Sequence, residues 1–221
     1  MTLEQLIAQF RVDSDDQSSD PLSTDEQVTA WLNEAEEEAA IRANLLHESD
    51  EASVCEISIA AGTTVYPIHE SIVDITRADF TPDGATVSTP VTLVDRIEQD
   101  RTRPDWRTTT EVPREAILMD TKLRIGSIPS VDGTLKIECY RTPLNPMVND
   151  SDTPEIHRAH HRHLVKWALH KCYARPDAEI HDPARSEKEL AEFTRVFGIR
   201  PDADLRRSFQ ENRPLYNKAI A

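Results

Sequence analysis

Glycine is scarce in this chain of 221 residues, which contains only five. Loops that cradle phosphates need several closely spaced glycines, and neither GxxxxGK[ST] nor GxGxxG occurs. The GxSxG nucleophile elbow of the α/β-hydrolases is absent as well. The sequence therefore gives poor support to a nucleotide-binding protein or to a hydrolase of that type.

Cysteine is rarer still, with only Cys55, Cys139 and Cys172. These three are far apart, and none belongs to a CxxC pair. This pattern argues against a disulfide framework and predicts buried, reduced thiols. The opening segment MTLEQLIAQF lacks the basic start and long apolar stretch of a signal peptide. No apolar run approaches the ~20 residues that a membrane helix needs. We expect a protein that is made and kept in a reducing, aqueous compartment.

Basic residues are in the minority, with 25 Lys and Arg against 40 Asp and Glu, a net charge of −15. A chain with this charge repels phosphates, which argues against a DNA-binding regulator. It remains compatible with a protein that DNA must pass without sticking. Residues 1–50 contain only Arg11 and Arg42 as basic residues, whereas residues 199–221 are net basic. The two ends are expected to meet different partners or neighbouring copies.

Helical patterns dominate residues 1–51. Thr2 is predicted to cap a first helix, residues 11–21 form a polar loop, and Ser23 caps a long second helix. Apolar residues recur at helical spacing along this second helix, at Val28, Trp31, Leu32, Ala35, Ala39, Ala43 and Leu46. The acidic run EAEEE (Glu34–Glu38) is interpreted as a solvated helix face, with an acidic wall facing DNA or a basic partner as the alternative.

Residues 52–143 contain short runs of β-branched and alternating residues, which predict a small antiparallel β domain. A hairpin is expected near Asp120, and residues 135–140 alternate between apolar and polar side chains. Residues 98–113 are polar and are predicted to form a loop. Trp106 lies in this loop and is interpreted as an exposed aromatic residue that anchors an interface with another protein or subunit.

Residues 144–198 return to helical patterns. Thr153 and Pro154 are predicted to start one helix, and Asp182 and Pro183 start a second, which ends at Gly198. Together these zones predict an α+β fold. It consists of a helical bundle with a long N-terminal helix and two C-terminal helices, an inserted small antiparallel β domain, and an extended C-terminal tail at residues 199–221.

The histidines of PEIHRAHHRHLVKWALHKCYA, the segment that starts at Pro154, raise the question of a metal site. On a helix, His157 and His161 would form a pair that could bind zinc, but a zinc site needs further ligands. The HExxH pattern is absent, and Arg158 and Arg162 lie beside the pair. Packing or subunit contact is the favoured interpretation, while a metal site and a pH-sensitive contact remain open.

The C-terminal tail combines cationic, apolar and aromatic residues in a segment that prolines interrupt. Such a segment cannot form a core of its own and is suited to docking on another protein. Folding back on its own domain is the alternative. The residues expected to make the contact are Arg206, Arg207, Phe209, Arg213, Leu215 and Tyr216.

Three segments together resemble the head–tail connector (adaptor) proteins of tailed bacteriophages. The segment VTAWLNEAEEEAA resembles the long opening helix of that family, and ILMDTKLRIGSIPSVDGTLKIECYRTPLNPM resembles its strand–turn–strand segment, with CYRTP as the aromatic-Arg-x-Pro pattern. Residues 154–198 resemble its closing helical pair. The resemblance follows the same order along the chain, from Thr24 to Gly198.

The resemblance implies a structural virion protein without catalysis or cofactor, assembled in the host cytoplasm. Copies would form a ring, with twelve-fold symmetry, between the portal protein and the tail or nozzle proteins. DNA would pass through this ring without specific binding, and no membrane is involved. Residues 199–221 would reach onto the portal. The histidine-rich helix departs from the family pattern.

Two other functions remain open at this point. One is a metal-dependent enzyme that uses the region of His157 and His161. The other is an acidic adaptor or DNA mimic that binds a basic partner.

Overall fold

The computed structural model describes residues 1–18, 21–176 and 181–201. The chain divides into two compact units. The first contains Met1–Leu46 and Arg141–Arg200, and its regular structure is almost entirely helical. The second contains His47–Tyr140 and is built mainly of strands. The predicted α+β class is therefore confirmed.

The helices of the described chain are α1 (Leu3–Ser14), α2 (Asp25–Ala43), α3 (Ala52–Cys55), α4 (Arg96–Thr102), α5 (His161–Tyr173) and α6 (Pro183–Phe197), with a 3₁₀ turn at Arg158–His160. The strands are β1 (Leu46–Glu48), β2 (Glu56–Ile59), β3 (Val65–Pro67), β4 (Ile72–Pro82), β5 (Thr89–Pro90), β6 (Thr92–Leu93), β7 (Thr110–Glu111), β8 (Glu115–Leu118), β9 (Lys122–Ile125), β10 (Ile128–Pro129) and β11 (Gly133–Arg141).

The first two helices begin with capping boxes. Thr2 caps α1 as predicted. The predicted cap of α2 is wrong by one residue, because the cap is Thr24. Its hydroxyl oxygen accepts the backbone N–H of Gln27 at 3.3 Å, and the Gln27 side-chain oxygen accepts the backbone N–H of Thr24. Ser23 is instead buried, with Oγ 3.7 Å from Sγ of Cys172. The capping box, in which two residues each bind the backbone N–H of the other, is therefore formed by Thr24 and Gln27 and not by Ser23.

Helix α1 continues to Ser14, so the predicted start of the following loop at residue 11 is wrong. Arg11 lies in the last turn of the helix and forms ion pairs with Asp16 and Asp25. A cation in the last turn of a helix is favourable because of the helix dipole. Asp15, with a φ of 60°, ends the helix.

The core of the first unit lies where α5 packs against α1, α2 and α6. The apolar stripe predicted for α2 is largely buried here, although Ala43 is exposed and Leu46 belongs to β1. Trp31 is half-buried. The stripe residues that reach the core are Val28, Leu32, Ala35 and Ala39.

The predicted start of α5 at Thr153 and Pro154 is wrong. Residues 152–154 have no regular structure, and the helix begins at His161, after the 3₁₀ turn. A side chain of α2 holds the segment before this turn, because the Glu36 carboxylate accepts the backbone N–H groups of Glu155 and Ile156 at 2.5 and 3.2 Å. These N–H groups are bound by a side chain of α2, distant in sequence. The predicted bounds of α6 are confirmed, with Asp182 as its cap and Gly198 at its end.

The second unit contains three sheets. A five-stranded sheet has the order β1-β11-β4-β5, with β2 also paired to β11, and a four-stranded sheet has the order β3-β9-β8-β6. Strands β7 and β10 form a parallel pair, as do β6 and β8, so the predicted antiparallel domain is in fact mixed. The parallel pairing of β6 with β8 arises because the chain leaves the first sheet after β5 and enters the four-stranded sheet as β6, beside β8.

Local patterns identify several strands of this unit correctly. The hairpin near Asp120 is confirmed, with β8 and β9 antiparallel. In β11 the alternation at residues 135–140 is confirmed by the burial of the apolar side chains. Gly133 opens this strand, and a Cβ atom there would lie 2.4 Å from the carbonyl oxygen of Thr81. The three cysteines are buried and form no disulfide, as predicted.

Candidate partner-contact surfaces

His161 is buried, with 5% of its surface exposed. Its Nε2 lies 2.9 Å from the carbonyl oxygen of Ile156, and its Nδ1 lies 2.8 Å from the amino group of Met1. Nε2 therefore carries the hydrogen and donates, while Nδ1 accepts from the amino group. Both ring nitrogens are engaged in this arrangement, which leaves neither of them for a metal ion.

His157 is exposed and precedes the helix. Its Nδ1 accepts the backbone N–H of Ala159 at 3.2 Å and so caps the 3₁₀ turn. The predicted alignment of His157 and His161 on one helix is wrong, because α5 begins only at His161. Within the described residues, no group of three or more His, Cys, Asp or Glu side chains is arranged to hold a metal. The geometry does not favour the metal-enzyme alternative.

His170 and Ser186 form a contact between α5 and α6 that resembles a base–nucleophile pair. Nδ1 of His170 lies 2.8 Å from Oγ of Ser186 and 3.1 Å from its carbonyl oxygen. Since a carbonyl only accepts, Nδ1 carries the hydrogen. Oγ of Ser186 donates to the carbonyl oxygen of His170 at 3.0 Å. The pair therefore fastens two helices and does not provide a free base for the hydroxyl.

The remaining histidines of the cluster lie in a group of basic residues. The rings of His160 and His163 face Phe197 with centroids 5.6 and 6.4 Å apart. Arg162 and Arg195 lie close enough to His163 to lower its pKa, although burial is the larger cause. We call Arg158, His160, Arg162, His163 and Arg195 the α5 basic patch.

The stability of the first unit is expected to fall as the pH decreases below about 6.5. Burial lowers the pKa of His161 below its ordinary value of 6.5, so the unfolded chain binds this proton at higher pH than the folded chain. The contribution of neutral His161 is fully present above the unfolded value and is lost as the pH falls towards the folded value. Unfolding in urea between pH 8 and 5.5 measures this loss. His161→Gln is expected to show a shallower decrease, and an identical slope would contradict the assignment.

The acidic run of α2 is only partly solvated. Glu36 and Glu38 are 2% and 8% exposed, so the predicted solvent-facing position is wrong for both. Glu37 is exposed as predicted. Glu34 is half-buried and accepts a hydrogen bond from Lys171 at 2.9 Å. Burial raises the pKa of Glu36, against the opposing effect of the two N–H groups that it binds.

Glu38 joins α2 to the residues that follow α6. Nε of Arg42 lies 2.9 Å from its carboxylate, and Arg200 binds the other oxygen of the same group. The Arg42 guanidinium also lies over the rings of Trp167 and Phe193 at 5.1 and 5.2 Å. The point where the chain leaves the first unit is therefore fixed by two arginines on one carboxylate.

The candidate residues of the C-terminal tail lie outside the described residues, which end at residue 201. Their proposed contact with a partner accordingly stays a prediction. These residues are Arg206, Arg207, Phe209, Arg213, Leu215 and Tyr216.

Trp106 is 1% exposed, so its predicted exposure to solvent is wrong. Its Nε1 donates to Asp100 at 2.8 Å, and Arg107 and Arg124 lie over the ring at 4.2 and 4.8 Å. The loop that contains it also begins with α4, which the sequence analysis missed. Asp95 caps this helix through the N–H groups of residues 97 and 98. A partner at this position would meet the covering arginine Arg107.

A cleft of about 400 Å³ lies within the second unit, where β4 and residues 90–94 diverge. Asp74 and Arg77 provide its charged groups, and burial raises the pKa of Asp74. No sequence pattern marks this cleft, because its walls are β4 and the segment that follows β5, which come together only in the folded unit.

No described helix is long and apolar enough for a membrane span.

The SU10 adaptor protein family model matches residues 1–215 of the chain. This match includes both units and most of the C-terminal tail. Among curated proteins, none gives a significant match. Because the family match covers nearly the whole sequence, the chain belongs to the SU10 adaptor protein family, a family of structural adaptor proteins of bacteriophages.

Proposed function

We propose that this protein is a head–tail connector, which forms a ring between the portal and the tail or nozzle proteins of a phage particle. The observation that carries the proposal is the family match, which continues through the helical unit into the basic tail as far as residue 215. An adaptor needs at least two faces for two partners. The strand-rich unit and the C-terminal tail supply candidate faces that differ in sequence composition and charge.

The charge of the chain supports a position around a DNA channel. With a net charge of −15, each copy adds to a field that repels phosphates. A basic wall would instead retain DNA through counterion release and would slow its passage. An acidic ring lets DNA move through in both packaging and ejection.

The C-terminal tail is proposed to dock on the portal. It leaves the first unit at a point held by Glu38 and Arg200, so it starts from a defined position on each copy. Arg206, Arg207 and Arg213 supply charge for an acidic groove, and Phe209, Leu215 and Tyr216 supply apolar anchors. This combination suits an extended segment bound along another protein.

Electron microscopy of the protein mixed with purified portal rings tests the proposal. We expect a second ring of twelve copies beneath the portal, which the protein alone does not form at the same micromolar concentration. Tail or nozzle proteins should then bind only to the assembled pair. The proposal fails if the portal rings remain bare at micromolar protein concentrations. Salt-sensitive capture of a basic host protein would favour an acidic adaptor of a different kind.

A further inference from the structure

We propose that the α5 basic patch binds the acidic outer face of α2 in a neighbouring copy of this chain. This inference rests on the proposed ring and identifies a contact that holds its copies together. It assigns a role to the histidine-rich segment, which the proposed portal contact does not use.

The patch is a positive region on a strongly negative chain. Arg158 and Arg162 are exposed, and no carboxylate of the described residues lies within 4 Å of either guanidinium. They lie four residues apart, at the 3₁₀ turn and the first turn of α5. Residues 141–176 contain six basic and three acidic residues, in contrast to the chain as a whole.

Acidic side chains of α6 also lie near the patch, but they already have basic partners. Lys166 binds Glu189 at 2.9 Å, and Arg195 binds Glu192 at 2.8 Å. The pKa of His163 is lowered by burial and by its cationic neighbours. Arg158 and Arg162 therefore supply the net positive charge of the patch, while the imidazoles of His160 and His163 pack against Phe197.

The complementary surface lies on α2. Glu26 and Glu37 are both exposed, and their separation of eleven residues corresponds to about three helical turns, so they share one face. Within the described part of the chain, no basic side chain lies within 4 Å of either carboxylate. Residues 1–46 contain eleven acidic and two basic residues, which makes this the most acidic part of the sequence.

These two surfaces are different patches of one unit. A contact between different patches is heterologous, and repetition of such a contact around an axis closes a ring. A neighbouring copy offers the carboxylates of its acidic α2 face to the patch. The match is local, because the net negative charge of the chain repels DNA phosphates and other copies alike.

The test compares cooperative binding to portal rings for Arg158→Glu/Arg162→Glu and for the unchanged chain, with ring occupancy measured by mass photometry. We expect single copies to bind with unchanged affinity, while the coupling between adjacent copies falls at least about tenfold. Adding Glu26→Lys/Glu37→Lys to the same chain should restore the coupling. Circular dichroism confirms that each variant is folded.

The matched control is Lys122→Glu/Lys136→Glu, which changes the net charge equally but alters exposed lysines of the second unit. It should retain full coupling. Unchanged coupling in the arginine variant would overturn the inference, and loss of all binding, single copies included, would assign the patch to the portal contact.

Sedimentation velocity at low salt and high protein concentration provides a test without portal. Self-association of the unchanged chain that the arginine variant lacks supports the contact even if the portal contact fails, and equal sedimentation of the two overturns it.

Discussion

Replacing Glu36 with alanine is expected to lower the free energy of unfolding by about 3 kcal/mol. The carboxylate is 2% exposed and accepts the backbone N–H groups of Glu155 and Ile156. Its removal leaves two N–H groups without an acceptor and a cavity beside the core, and each unsatisfied buried group costs about 1–3 kcal/mol. Urea unfolding monitored by far-UV circular dichroism measures the loss.

Glu37→Ala is the matched control, since the adjacent carboxylate is exposed, and its effect should remain within about 0.5 kcal/mol. Glu36→Gln keeps an acceptor oxygen and should lose less stability than the alanine variant. Equal stabilities for Glu36→Ala and Glu37→Ala would show that the contact does not stabilise the fold.

The pH dependence of Glu36 has the opposite sign to that of His161. Burial raises the pKa of Glu36, so the folded chain takes up this proton at higher pH than the unfolded chain. The cost of burying the charged carboxylate is present above the folded pKa and is relieved as the pH falls towards the unfolded value of about 4.5. Acid therefore weakens the first unit through His161, and the protonation of Glu36 offsets part of the loss.

Helix ends that depend on neighbours in sequence could be predicted. Thr2 and Asp182 cap α1 and α6 through residues three positions along the chain, and Gly198 ends α6 with a positive φ. The apolar alternation of β11 identified its buried face for a similar reason. Each of these features is encoded within a few residues, where periodicity and capping preferences act.

Features that depend on distant residues could not be predicted. Glu36 appeared solvated because its partners, the N–H groups of Glu155 and Ile156, lie about 120 positions away. Trp106 is a different case, because the polar neighbours that made it appear exposed, Asp100 and Arg107, are the residues that cover its ring.

For the candidate contact surfaces, too, the sequence predicted what composition determines and did not predict what packing determines. Composition alone indicated an acidic N-terminal region and a basic tail. It did not reveal that Glu38 holds Arg42 and Arg200, or that no carboxylate among the described residues pairs with Arg158 or Arg162. These are properties of packing, which brings α2, α5 and α6 together.

Deleting residues 202–221 is expected to leave the fold unchanged and to abolish docking on portal rings. The deletion retains Arg200 and its ion pair with Glu38, so the helical unit keeps its observed contacts. It removes all six residues proposed for the portal contact. Co-sedimentation with portal rings should show a loss of at least about a hundredfold in affinity, since several central aromatic and arginine anchors disappear together.

A chain with the same tail composition in scrambled order is the control for charge alone. If docking depends on the order of anchors, this control should fail as the deletion does. Full docking by the deleted chain would assign the portal contact to another surface. An unfolded deletion variant would instead show that the tail belongs to the body of the protein.

An electron cryomicroscopy reconstruction of the full chain bound to portal rings is the decisive test of the connector role. We expect twelve copies in a ring around an acidic channel, with residues 202–221 of each copy traced along the portal surface. A reconstruction in which these residues pack on their own helical unit, and in which the portal is contacted elsewhere, would contradict it.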